Sequence, residues 1–242
     1  MAVRRSSLLV ATAMLALAAC SKSPAPPAAG PASGAAPAQP AADALLAKSL
    51  DAYRQMLAQK QWEFAAPVGQ EIVDRYPGTA AAQEVQQTLA DVTAKATAAT
   101  TQRRLAALWS YQSGKESGGD QVTASIYSSD VIADRRVRLI LRRHAAWGQS
   151  VYLFGSGKGF ECRGTCSLAA KFDDAPAKIA AYLPDTGEPA LFIKDDKAFI
   201  ERLARTRTLG IDVTEKGKST RTLVFEVGGY DAAKFPPLAK KK

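Results

Sequence analysis

The chain has 242 residues, of which 47% are hydrophobic, 23% charged and 7% aromatic, with a formal charge of +9. Those figures exclude a wholly disordered chain, a collagen-like fibre and a polytopic membrane protein, and they leave enough apolar material for at least one core. One His and three Cys leave little for a metal site or a histidine-based active site, and the basic balance points to anionic surroundings.

The chain opens with Arg4-Arg5, an apolar run from Leu8 to Ala19 and then Cys20. The run is too short to span a bilayer as a mature helix, so residues 1–19 read as a signal peptide. Its end, Leu17-Ala18-Ala19-Cys20, resembles the lipobox of bacterial lipoproteins. That resemblance implies that the Cys20 sulfur takes a diacylglyceryl group and that cleavage falls before it. A secretory signal with a chance cysteine at its end is the competing reading. Loss of Arg4 and Arg5 lowers the charge from +9 to +7. Several acyl chains exceed the single-chain threshold for stable anchoring, so the expected first partner is a membrane, held through the N-terminal lipid and faced from the periplasm. Ser21, where inner-membrane lipoproteins often carry Asp, implies by the same resemblance an outer-membrane destination.

Residues 20–42 are then the acylated cysteine and a linker, since Ala, Pro, Gly and Ser dominate and no apolar period is present. Residues 43–106 read as helical. Asp43 is expected to cap a first helix carrying Leu45, Leu46, Leu50, Tyr53, Met56 and Leu57 at three-and-four spacing. A second helix is expected to start near residues 64–66, with Pro67 close to its beginning, and to stop at Tyr76-Pro77-Gly78. Thr79 then caps a third helix reaching Leu105. Trp62, Ala65 and Pro77 make residues 45–95 resemble one tetratricopeptide unit, although Gly69 falls where that family places a large apolar residue and Ile72 where it places a small one. A helical hairpin packing on the next domain, or pairing with another chain as a coiled coil, stays open beside it.

From residue 107 the period changes to two, so residues 107–242 are expected to form a β-rich domain ending in a basic tail, Lys240-Lys241-Lys242. Strands are predicted at 121–127, 136–142, 150–154, 167–172, 177–182, 190–193, 209–213 and 220–227, with a helix at 195–205. The fold class is therefore α+β: an N-terminal helical hairpin, then an antiparallel sandwich-like domain with one helix near its C-terminal side. Trp109, Gln121-Val122-Thr123, Leu139 and Leu141, Lys171-Phe172-Asp173, Leu191-Phe192-Ile193, Phe199 with Leu203, and Phe225 with Gly229 follow one another in an order that resembles accessory lipoproteins of type VI secretion. No catalytic residues come with that resemblance.

Candidate chemistry is sparse. Cys162 and Cys166, spaced as Cys-Arg-Gly-Thr-Cys, are expected to form a disulfide pinning a hairpin, because the compartment is oxidising and Gly164 lets the loop turn. His144 reads as a loop histidine among cations, with no nucleophile elbow in the chain to serve. Gly155 to Gly159, with Lys158, reads as a lysine-tipped hairpin turn, because neither a first glycine at 152 nor a Ser or Thr after the lysine completes a phosphate loop. The strand around residues 135–143 should turn Val137, Leu139 and Leu141 inward and leave Arg136, Arg138 and Arg142 as a basic stripe. Guanidinium forks there suit phosphates or carboxylates of an envelope component or an acidic protein, and a solvated charged face is the plainer reading.

Nucleic acid is not an expected partner, because the compartment lacks it and the arginines are not interleaved with exposed aromatics. No cofactor and no metal are expected. The functional expectation is a non-enzymatic, membrane-anchored binding or scaffold module. The alternative is a hydrolase of an envelope polymer using a carboxylate pair such as Asp173 and Asp174.

Overall fold

A computed structural model describes residues 39–130, 135–155 and 157–238. The expected signal peptide, Cys20, nearly all of the linker and the Lys240-Lys241-Lys242 tail lie outside the described residues. From Asp43 onward the chain forms one compact unit.

Three helices come first: α1 (Gln39–Ala58), α2 (Trp62–Arg75) and α3 (Ala80–Ala107). The first helix begins before Asp43, so that residue is not its cap, and the second begins at Trp62, ahead of the expected start. Pro67 is the sixth residue of α2, so its missing amide leaves the Glu63 carbonyl without its intrahelical donor instead of falling among the free amides of the first turn. Thr79 caps α3 as expected, its Oγ1 accepting from the Ala82 amide at 3.2 Å. Tyr53, Ala65, Ile72, Ala82, Val85 and Val92 form a core of their own. Gly69 belongs to it for a steric reason: a Cβ there would stand 2.7 Å from Tyr53 Cε2 and 3.0 Å from Leu89 Cδ1. The small residue therefore sits where α1 approaches α2, and the buried Tyr53 fills the space, its hydroxyl hydrogen-bonded to Thr88 Oγ1 at 2.8 Å.

The β-rich region comprises β1 (Ser110–Glu116), β2 (Gly119–Tyr127), β3 (Arg138–His144), β4 (Gly148–Phe154), β5 (Thr165–Phe172), β6 (Ala175–Tyr182), β7 (Ala190–Ile193), β8 (Leu209–Thr214) and β9 (Thr220–Phe225). Between β7 and β8 lies α4 (Asp196–Leu203), capped by Asp195 and burying Phe199, Ile200 and Leu203. The α+β organisation is the expected one. Its strands form a single antiparallel sheet in the order β1-β2-β3-β4-β7-β6-β5-β8-β9. One face carries Ala124, Leu139, Leu141, Val151, Leu191, Ala181, Ile211 and Phe225 into a shared core. Residues from both ends of the strand order meet in that core, so the sheet folds over itself. The Ser129 amide closes the turn by donating to the Val224 carbonyl at 2.7 Å, which brings the chain leaving β2 against β9.

Two expectations about connections need correcting. The residues after β4 do not make a hairpin with the next strand, because β4 pairs with β7 while β5 pairs with β6 and β8. Lys158 is therefore on a crossover, and the Cys162–Cys166 bridge, with Cα atoms 5.5 Å apart, pins the entry into β5 rather than a hairpin. Phe160 instead bridges to Glu215 beside β8.

Candidate functional site

Because successive strand residues face opposite ways, burying Leu139 and Leu141 fixes Arg138, Ile140, Arg142 and His144 on the outer face of β3. The register then sets their neighbours. Tyr127, Arg138 and Phe154 lie in one row across β2, β3 and β4. Ser125, Ile140, Tyr152, Phe192 and Tyr182 form the next row, through β7 and β6. Gln112, Thr123, Arg142 and Ser150 form the third.

Within these rows the guanidiniums lie over rings. The Arg138 guanidinium carbon is 6.0 Å from the centroids of both Tyr127 and Phe154. That of Arg142 is 5.1 Å from Trp147 and 5.3 Å from Tyr152, and its Nε donates to Ser150 Oγ at 3.2 Å. Such stacking fixes a guanidinium while leaving its outer N–H groups free to donate. Tyr152 stacks on Phe192 at 4.8 Å, and Phe192 on Tyr182 at 5.6 Å, so an aromatic ladder continues from Arg142 across the sheet. Burial pushes the Tyr152 hydroxyl above its ordinary pKa, with the Arg142 and Arg138 charges opposing that rise.

Between the arginines is a shallow cup of about 230 Å³, lined by Gln112, Gln121, Thr123, Ser125, Ile140 and Tyr152 besides the arginines. Its one carboxylate, Glu116, accepts from Gln121 Nε2 at 2.5 Å, leaving Gln121 Oε1 buried without a donor among the described residues. Among the described residues neither Arg138 nor Arg142 forms a salt bridge.

The arginine stripe predicted from sequence is thereby altered. Arg136 precedes β3, and its Nε donates to the Asp130 carbonyl at 3.0 Å. Arg143 faces the other way, stacked 4.3 Å from the Phe235 ring and donating to its carbonyl at 2.7 Å. Two arginines, Arg138 and Arg142, remain as the face. The expected separation of arginines from aromatics is also overturned: the alternation is absent along β3 but present across the strands, where only the register reveals it.

His144 is the last residue of β3 and 2% exposed, so it is not a loop histidine. Its Nδ1 accepts from the amides of Ala146 and Trp147, which places the proton on Nε2 for donation to the Glu116 carbonyl at 2.8 Å. Its ring lies 3.8 Å from that of Trp147. The histidine thus holds the β3–β4 turn that presents Trp147 to Arg142.

The carboxylate pair weighed for hydrolysis is not assembled. Asp173 Oδ1 accepts from the amides of Arg207 and Thr208, both at 2.9 Å, tying the β5–β6 turn to the start of β8. Asp174 is fully exposed, 3.9 Å from Lys171. Cys162 and Cys166 are joined, as expected. Among the described residues no group of three or more His, Cys, Asp or Glu side chains could hold a metal ion, and no helix is long and apolar enough to cross a membrane.

No family model matches the chain, and no curated protein matches it. Among solved structures it is similar to invasion associated protein B from Bartonella henselae, at 19% identity over 52% of this chain and 87% of that one, with a TM-score of 0.37.

Proposed function

We propose that the protein is an acylated envelope lipoprotein whose sheet presents Arg138 and Arg142 to an anionic component of the envelope or to an acidic protein, without catalysing a reaction on it. The observation that carries this reading is the pair of ring-stacked guanidiniums with no salt-bridge partner among the described residues. Solvated strand faces ordinarily balance their charges with neighbours of opposite sign. Here hydroxyls, amides and rings surround the two cations, with Glu116 the one carboxylate lining the cup and in salt-bridge contact with neither, and a ligand would supply further negative charge. The Leu17-Ala18-Ala19-Cys20 sequence, with its resemblance to a lipobox, supports a face outside the cytoplasm and anchoring through lipid.

The test is cross-linking of the tagged full-length lipoprotein in cells, comparing wild type with Arg138→Glu/Arg142→Glu. A discrete product present in the first and lost in the second is expected. Identical products from both would remove the arginine face from the function. Anchoring is checked separately, by metabolic labelling with palmitate: incorporation should disappear in Cys20→Ala and persist in the arginine variant.

A further inference from the structure

Resting on that reading, the chemistry of the cup narrows the ligand. A protein hot spot needs an apolar centre sealed from water by a polar rim. The cup between Arg138 and Arg142 is instead lined mainly by polar groups: Gln112, Gln121, Thr123 and Ser125 supply amides and hydroxyls, with Ile140 and Tyr152 in the row between the arginines. A lipid headgroup would bring acyl chains needing an apolar bed beside the phosphate, and Ile140, with little of its surface exposed, is the one aliphatic residue lining the cup.

A hydroxyl-rich ring bearing a carboxylate fits both parts. Its hydroxyls would exchange hydrogen bonds with the amides and hydroxyls of the floor. Its carboxylate would accept two parallel N–H bonds from a guanidinium already fixed by stacking, so little side-chain entropy is lost on binding. Arg138 and Arg142 lie four residues apart on one strand, about 13 Å at the strand rise, so a short chain of such rings can meet both. Glu116, which also lines the cup, repels an anion beside it, so the carboxylate belongs on a guanidinium. We infer that the outer face of β1 to β4 is a binding site for an acidic saccharide, recognised through its carboxylates by Arg138 and Arg142 and through its hydroxyls by Gln112, Thr123 and Ser125.

The experiment titrates the full-length chain in detergent micelles with trigalacturonate, and in parallel with its fully methyl-esterified form, which keeps the hydroxyls and loses the charges. Calorimetry gives affinity, and the Trp147 environment gives a second readout by fluorescence. Saturable binding of the acid is expected, with the ester at least about tenfold weaker, since a charge-assisted bidentate contact is worth about that factor. Arg138→Met/Arg142→Met should lose binding, and Gln112→Ala/Thr123→Ala should weaken it by about tenfold. Lys171→Met/Lys178→Met, on exposed positions of β5 and β6, should bind like wild type.

Equal binding of acid and ester, or equal loss in the lysine variant, would overturn the inference. So would tighter binding of oligothymidylate or of phosphatidylglycerol vesicles at the same arginines. Absence of saccharide binding together with an arginine-dependent cross-link in cells would remove the saccharide and leave the proposed anion-binding role standing.

Discussion

Gly229 lies against the end of α3 so closely that a Cβ on it would stand 2.2 Å from the Leu105 carbonyl carbon and 2.3 Å from the Ala106 nitrogen. This contact is backbone on backbone, with no side chain able to swing aside. It seats the last turn of α3 on the 3₁₀ turn Val227–Gly229, where Arg104 also pairs with Glu226 and Trp109 Nε1 donates to the Val227 carbonyl at 3.3 Å. The helical rod and the sheet are joined there. Gly229→Ala should therefore force the two apart and destabilise the protein by about 3 kcal/mol, the upper end for overpacking. Gly114→Ala, in β1 with open space around its Cβ position, should change stability by less than about 0.5 kcal/mol. Urea unfolding of both variants checks the contrast. Equal stabilities would mean that the junction is not a fixed contact.

The Cys162–Cys166 bridge closes a short loop, at a sequence separation of 4. Loop-closure entropy for so small a ring corresponds to about 2 kcal/mol. Cys162 packs partly buried against the sheet core, and Phe160 just before it is buried there. Cys162→Ser/Cys166→Ser should lower stability by about that amount, measured by urea unfolding, without changing which residues form β5. Alkylation of periplasmic material under non-reducing conditions should find neither cysteine reactive. Two alkylated thiols in the mature protein would show that the bridge does not form in the cell.

Sequence periodicity reads well wherever one face is buried and the other wet. Residues 121–127 alternate cleanly because Val122, Ala124 and Ile126 enter the core, and Asp195 announces α4 by capping it. The reading fails where that contrast is missing. Ser110–Glu116 is an edge strand with mostly exposed residues, so no apolar alternation marks it. The stretch 94–101, rich in Ala and Thr, continues α3 without a break, as the helix expected to reach Leu105 requires. Charge on β3 was visible in the sequence, since Arg138 and Arg142 share its parity. Their aromatic partners were not, because Tyr127, Trp147, Tyr152 and Phe154 reach them through cross-strand register and the β3–β4 turn. His144 misled for a similar reason: what buries it is the turn that follows and the Glu116 carbonyl of β1, neither of which is encoded in its neighbours' periodicity.

Arg221 on β9 donates to Asp130 Oδ1 at 2.8 Å, to Glu215 Oε1 at 3.4 Å and to the Arg135 carbonyl at 2.6 Å. This cluster clamps the chain leaving β2 to the ninth strand, at the closure also made by Ser129 and Val224. Burial raises the Asp130 pKa, but hydrogen bonds from Ser128 and Arg221 and the charges of Arg221 and Arg135 outweigh it, so the carboxyl titrates below its ordinary value. A folded-state pKa lower than the unfolded one of about 3.9 contributes stability that is fully present above the unfolded value and is lost as pH falls through the folded one. Equilibrium unfolding from about pH 6 to about pH 2 should therefore show wild type losing stability more steeply than Asp130→Asn, with the two curves approaching each other at the acid end. Parallel curves would mean that Asp130 is not held by the cluster. Arg221→Met provides the complementary test at neutral pH. It leaves the Glu215 side chain, only 6% exposed, with Lys218 Nζ at 3.2 Å as its remaining cation, so the cost should fall below the about 3 to 5 kcal/mol of breaking a buried pair outright. Glu215→Gln in the same background should recover part of that loss, because it removes a buried charge that has lost one of its two partners while the β8–β9 register stays as it was.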